Sequence, residues 1–108
     1  MSNYETARKT FIEKMTAASD ARKEVEAYEL HVAWSAMALA NALADGEPEA
    51  DMKWRLSSFI EDRAELASCR AKSGQAELEY EAASAALREE RKTPPAVAPA
   101  EGFETPNG

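Results

Sequence analysis

Glycine and proline, the residues that end or bend helices, are placed so that they leave room for two long helices and little else. None occurs before Gly46, and between Pro48 and the prolines at 94 and 95 the only one is Gly74. Strand-forming residues are scarce, and alanine, glutamate, lysine, arginine and leucine, which favour helix, dominate the chain. The pattern therefore predicts an all-α protein.

Local signals mark where the two helices begin and end. Ser2 and Glu5 have the capping-box spacing that starts a helix. Gly46 suits the left-handed conformation that ends a helix, and Pro48 suits the first turn of the next. A stop, a turn and a start this close together predict a long antiparallel helical hairpin. The predicted segments are a helix at about 3–44, a turn at about 45–47 and a helix at about 48–92.

A seven-residue repeat predicts that the two helices pair as a two-helix coiled coil. Each predicted helix has a row of residues spaced seven apart. In an antiparallel hairpin, residues that face each other have numbers with a constant sum, and here that sum is 91, as for Phe11 and Tyr80. The rows are Tyr4, Phe11, Ala18, Val25, Val32 and Leu39, then Met52, Phe59, Leu66, Ser73, Tyr80 and Leu87.

The same pairing makes predictions for polar residues and for Gly74. Gly74 either faces the small residues at 17–19 and allows the helices to approach closely, or it divides the second helix into two pieces. The polar layer should place Lys14 opposite Glu77, Tyr28 opposite Arg63 in a cation–π contact, and Ala21 opposite Arg70.

More apolar side chains occur near the turn than one two-helix seam can bury. We expect them to form an interface, because a thin hairpin has little core and tryptophan and methionine are common at interface centres. The hairpin is therefore predicted to pack into a four-helix or larger assembly. The alternative is a monomer in which the tryptophans only close the end of the hairpin. The candidate interface consists of Leu30, Trp34, Met37, Leu43, Trp54 and Ile60.

The net charge of −7 comes mainly from the turn and from the end of the chain. Four of the acidic residues lie within 45–51, while the two predicted helices are nearly balanced in charge. No basic stripe is present, so nucleic acid is not an expected partner. The apolar run 30–44 is too short to span a bilayer, and no signal peptide opens the chain, so we expect a cytoplasmic or virion protein and no membrane partner.

No residue pattern indicates catalysis, a metal or a cofactor. His31 is the only histidine and has no ligand or catalytic partner at helical spacing. Cys69 is the only cysteine, which we interpret as a small, partly buried helix residue rather than a reactive thiol. The four glycines are scattered, so no phosphate-binding loop is present. We therefore predict a protein that is not an enzyme and uses no cofactor.

The segment 93–108 holds four of the five prolines and is predicted to be an extended, Pro-rich tail. Phe103 is its candidate docking anchor, and the alternative is a solvated tail without a role.

These patterns favour a non-enzymatic structural or assembly protein that acts through protein–protein contacts. Its size and acidity would suit a phage virion component or a subunit of a secretion-type complex. The alternative is a small inhibitor or adaptor, such as an anti-defence protein, that binds one host protein. A structural subunit should self-associate, whereas an inhibitor can remain a monomer or dimer and bind an unrelated target.

Overall fold

The computed structural model describes residues 2–92 and consists of two long helices. Helix α1 spans Asn3–Asp45 and helix α2 spans Glu49–Lys92, with 43 and 44 residues. Together they account for 96% of the described part of the chain, which contains no strand. Each is about 65 Å long at the usual helical rise, and the predicted all-α helical hairpin is confirmed. The predicted Pro-rich tail and its anchor Phe103 lie outside the described residues.

The capping box at the start of α1 is confirmed. The Ser2 hydroxyl accepts a hydrogen bond from the backbone N–H of Glu5 at 3.1 Å. The Glu5 carboxylate in return accepts one from the backbone N–H of Ser2 at 3.3 Å. Two N–H groups that a helix start would otherwise leave unpaired are thereby satisfied.

A left-handed glycine ends α1. Gly46 has φ 67° and ψ 40°, and its N–H donates to the carbonyl of Leu43 at 3.3 Å. The N–H of Glu47 donates to the carbonyl of Ala42 at 3.1 Å, which completes a Schellman motif. The first carbonyl bond of α2 follows at once, from Met52 N–H to Pro48 O at 3.1 Å.

The seam between the helices is lined by residues at alternating steps of three and four. Six of the described residues are buried, and all six are apolar or cysteine. Because most of them are small, the helices bury little volume between them, and no large side chain is fully buried. The buried residues are Ala18, Ala42, Leu66, Cys69, Ala83 and Leu87.

Cross-helix contacts agree with the predicted pairing in one place and depart from it in another. The rings of Phe11 and Tyr80 lie 5.5 Å apart, as the seven-residue rows predict. Lys14, however, donates to Glu79 at 2.8 Å and not to Glu77. Because lysine and glutamate have long side chains, their charged ends meet although the two residues are not at the predicted facing positions.

The predicted contact between Tyr28 and Arg63 is wrong. The Arg63 guanidinium lies 5.8 Å from the centre of the Phe59 ring, one turn back on the same helix. The Tyr28 ring is 5.4 Å from His31, also on its own helix. Residues three or four apart are neighbours on a helix surface. Arg63 and Tyr28 therefore each contact a ring on their own helix instead of each other.

Two ion pairs link the helices along one flank, which we call the ladder flank. Arg22 contacts Glu77 at 3.1 Å, and Glu29 contacts Arg70 at 3.3 Å. Arg70 was expected opposite Ala21, but Glu29 holds it instead. Arg22 and Glu29 are seven residues apart on α1, and Arg70 and Glu77 are seven residues apart on α2. The two pairs therefore lie two turns apart on the same side of each helix.

Gly74 neither breaks α2 nor brings the helices together. The helix runs through it without interruption. The residue is exposed, and a Cβ atom added there meets no atom within 4 Å. The close-approach interpretation of Gly74 is therefore wrong.

Candidate functional site

The six residues of the candidate interface are all exposed. Each keeps more than half of its surface accessible in the hairpin, which is unusual for side chains of this size. They lie in the half of the molecule nearest the turn. The exposed fractions are 55% for Leu30, 61% for Trp34, 61% for Met37, 65% for Leu43, 66% for Trp54 and 57% for Ile60.

Trp34 and Trp54 line the same groove, which we call the tryptophan groove. It lies between the helices near the turn, with a volume of about 250 Å³. In its floor the Ser35 hydroxyl donates to the Asp62 carboxylate. Its remaining lining residues are Ala38, Arg55 and Ser58.

Arg55 is the one cation in the lining of the tryptophan groove, and it is already paired. Its Nε donates to the Glu47 carboxylate at 3.0 Å, with a second contact from the guanidinium at 3.4 Å. Both side chains are less than a third exposed. The pair also ties the turn to the second turn of α2, so it supports the groove as well as the hairpin.

Three rings follow one another along α1 beside the groove. The centroids of Tyr28 and His31 are 5.4 Å apart, and those of His31 and Trp34 are 6.0 Å apart with an edge-to-face arrangement. A second depression of about 420 Å³ continues from the first, lined by Tyr28 and Ala64 with the carboxylates Glu61, Asp62 and Glu65. Asp62 lines both, so the two depressions adjoin, and we refer to them together as the groove.

Five other exposed apolar residues in the half nearest the turn do not line this groove, and we call the surface that they form the apolar face. Leu43 follows Glu29 by two seven-residue steps on α1, and Leu56 precedes Arg70 by two such steps on α2. Both leucines therefore lie on the ladder flank, closer to the turn than the ion pairs. Ile60 lies one turn after Leu56, on the same side of α2. Leu30 and Met37, seven residues apart, share the outer side of α1. No charged residue occurs in α1 between 30 and 44.

Of the six candidate interface residues, Trp34 and Trp54 line the groove, while Leu30, Met37, Leu43 and Ile60 do not and are assigned to the apolar face. Leu30 and Met37 lie four and three residues from Trp34, so the two surfaces adjoin along α1. Leu56, 46% exposed, lies outside the predicted candidate interface. The aromatic row was also missed, although the spacing of three from Tyr28 through His31 to Trp34 was the signal for it.

Cys69 is buried at the seam and is held as a thiol. Its sulfur lies 3.8 Å from the Glu24 carboxylate. Burial raises the pKa of Cys69, and the negative charges of Glu24 and Glu65 raise it further. A thiolate, the nucleophilic form, is therefore disfavoured at this position.

The described part of the chain offers neither a metal cluster nor a membrane-spanning helix. Between residues 2 and 92, no three histidine, cysteine, aspartate or glutamate side chains are grouped so as to hold a metal ion. No helix in that range is long and apolar enough to cross a membrane.

Comparison with protein-family models, with curated proteins and with solved structures found no match. The chemistry of the hairpin's own surfaces is therefore the basis for inferring its function.

Proposed function

We propose that this protein is a non-enzymatic assembly protein that acts through protein–protein contacts and self-associates through the apolar face. The observation that supports this is the exposure of Leu30, Met37, Leu43 and Ile60, each above half, beside a stretch of α1 without charges. Apolar side chains of this size on a thin hairpin gain most by packing against another apolar surface. A phage virion component or a secretion-type complex subunit would use such a face.

The strength of this association can be bounded from the exposed side chains. Burying the accessible half of a leucine, isoleucine or methionine is worth on the order of 1 kcal/mol. Five such residues on each of two copies would then contribute about 10 kcal/mol, against an association cost of roughly 4–15 kcal/mol. We therefore expect a reversible dimer whose population depends on concentration, rather than a permanent one.

Analytical ultracentrifugation from micromolar to millimolar protein tests this proposal. We expect the sedimenting mass to rise above the 11.8 kDa of one chain as concentration increases. The double variant Met37→Ser/Ile60→Ser should remain a monomer throughout, because it removes two central members of the apolar face. Leu78→Ser is the matched control: Leu78 is equally exposed, at 61%, but lies far from the turn. A folded monomer at every concentration would exclude self-assembly.

The tryptophan groove supports a second candidate, a small inhibitor or adaptor that binds one host protein. The double variant Trp34→Ala/Trp54→Ala separates the two functions. If self-association uses the apolar face, this variant should sediment as the wild type does while losing contacts to another protein. Loss of self-association in this variant, with Met37→Ser/Ile60→Ser unaffected, would instead assign assembly to the tryptophans.

A further inference from the structure

The groove beside the two tryptophans has an aromatic wall on α1, formed by Tyr28 and Trp34. Its other wall, on α2, carries Trp54 and the carboxylates Glu61, Asp62 and Glu65, and we call it the acidic wall. We propose that it binds a basic amphipathic helix of another protein, with an arginine or lysine side chain held between Trp34 and Trp54. This inference rests on the protein-binding character of the proposed function. It does not depend on self-association, which uses the apolar face.

The aromatic wall supplies faces that attract cations. Tyr28, His31 and Trp34 follow one another on α1, and Trp54 stands across the groove from them. The electron-rich faces of tryptophan and tyrosine bind guanidinium and ammonium groups when these approach within about 6 Å. Trp34 and Trp54 are both more than 60% exposed, so an incoming side chain can reach them.

The acidic wall supplies charge that the hairpin does not neutralise. Glu61, Asp62 and Glu65 line the groove from α2. None of the ion pairs within residues 2–92 involves these three carboxylates. The only cation in the lining is Arg55, whose charge is balanced by Glu47. The groove is therefore complementary to a cationic partner.

A second copy of this chain does not suit the groove. The groove carries Glu61 and Glu65, and the turn beside it adds Asp45 and Asp51; no ion pair within residues 2–92 neutralises these four, so two copies stacked here would bring like charges together. This repulsion favours a basic partner over a self-contact.

The length of the groove favours a helix as the partner's form. From Trp54 to Glu65 the groove follows α2 for about 16 Å at the usual helical rise. A partner helix of about three turns covers that length, and residues on one of its faces would meet both walls. Its cations would alternate with small or apolar residues, since Ala38 and the tryptophans offer apolar contact.

The experiment uses the full chain and a fluorescein-labelled, alanine-based helical peptide of about 16 residues with arginines repeated at helical spacing. A second peptide has glutamate at the same positions. Binding is followed by fluorescence anisotropy in low and in physiological salt. The double variant Glu61→Gln/Glu65→Gln removes two carboxylates from the groove. Its matched control, Glu26→Gln/Glu81→Gln, removes two exposed carboxylates that do not line it.

We expect the arginine peptide to bind and the glutamate peptide not to bind. Glu61→Gln/Glu65→Gln should weaken binding about tenfold, the sum of two partly exposed charge contacts, and the control should change it less than about twofold. Trp34→Ala should weaken it about fivefold through the lost cation–π contact. Equal binding of both peptides, no binding at millimolar protein, or equal weakening by the control variant would each overturn the proposal.

Sedimentation of the same variants keeps this inference separate from the proposed self-association. Glu61→Gln/Glu65→Gln should self-associate as the wild type does, because neither residue belongs to the apolar face. A wild type that binds the arginine peptide but never self-associates would support the groove and exclude the assembly function. A wild type that self-associates but does not bind the arginine peptide would support the assembly function and exclude the groove proposal.

Discussion

Replacing Gly74 by alanine should stabilise the protein. The residue lies inside α2, and its φ is not among the positive values of the described backbone, where Gly46 is the one such glycine. A methyl group added there meets no atom within 4 Å, so it introduces no clash. The gain comes from the unfolded chain. Alanine has less conformational freedom there than glycine, so less conformational entropy is lost on folding.

The expected gain is about 0.5–1 kcal/mol, the difference between the two residues in an exposed helix interior. For a folded part of this size, 1 kcal/mol corresponds to a rise of about 4–8 °C in Tm. Thermal and urea unfolding followed by circular dichroism at 222 nm measure it, with wild type and variant at one protein concentration because self-association alters Tm.

Gly46→Ala is the matched control and should have the opposite sign. Gly46 has φ 67°, a conformation that costs an alanine about 1 kcal/mol. If Gly74→Ala lowers the stability instead, then Gly74 is packed against something that one hairpin does not contain. If it leaves the stability unchanged, the helix is not rigid at this position.

Three further predictions concern the seam. Leu66→Ala should lower the free energy of unfolding by about 2–3 kcal/mol in urea, since Leu66 is 6% exposed in a thin core; a change below about 1 kcal/mol would mean that the seam adds little. Alkylation of Cys69 by iodoacetamide should be at least about tenfold slower in the native protein than in urea, because burial and negative neighbours raise its thiol pKa; equal rates would contradict its burial. The hydrogen bond and charge of Glu79 raise the pKa of Lys14, and those of Lys14 lower the pKa of Glu79. The pair therefore stabilises the fold above the ordinary carboxyl range and below the ordinary lysine range. Lys14→Met removes the charge, and the measurement is the difference in urea midpoint between this variant and the wild type. That difference should shrink as pH falls through the lowered pKa of Glu79, and also as pH rises through the raised pKa of Lys14. A difference that stays constant with pH would show that the methylene stem of Lys14, not its charge, stabilises the fold.

The ends of the helices were predictable because the signals for them are local. The capping box of Ser2 and Glu5 involves atoms three residues apart, and the left-handed Gly46 needs only its own backbone and the carbonyls just before it. Such interactions do not depend on how the helices later pack. The number of helices and their antiparallel arrangement followed from the same cues.

The polar partners across the seam were harder to predict because a long polar side chain can reach past the residue that faces it. Phe11 meets Tyr80 as the rows predict, but Lys14 meets Glu79 in place of Glu77. Long side chains add freedom of their own, as when Arg63 turns back onto Phe59. Sequence spacing narrows the choice to a few residues, but it does not decide between neighbours of the same charge.

Hydropathy indicated which apolar residues stay exposed near the turn, but not which of them line the groove. Hydropathy identifies Trp34 and Leu43 equally well, because it counts apolar residues without regard to direction. Their separation depends on which side of the seam each one occupies. That became evident only from the groove lined by Trp34 and Trp54 and from the ion pairs that mark the other flank.

The ion pairs of the ladder flank also guard against a slipped alignment. Arginine comes from α1 in the first pair and from α2 in the second. If α2 slid by seven residues in one direction, Arg22 would face Arg70, and in the other direction Glu29 would face Glu77. An alanine-rich seam resists such a slide only weakly, since one small side chain fits where another did. Reversed polarity thus opposes each slide with one like-charge pair, and the observed alignment places both arginines opposite glutamates.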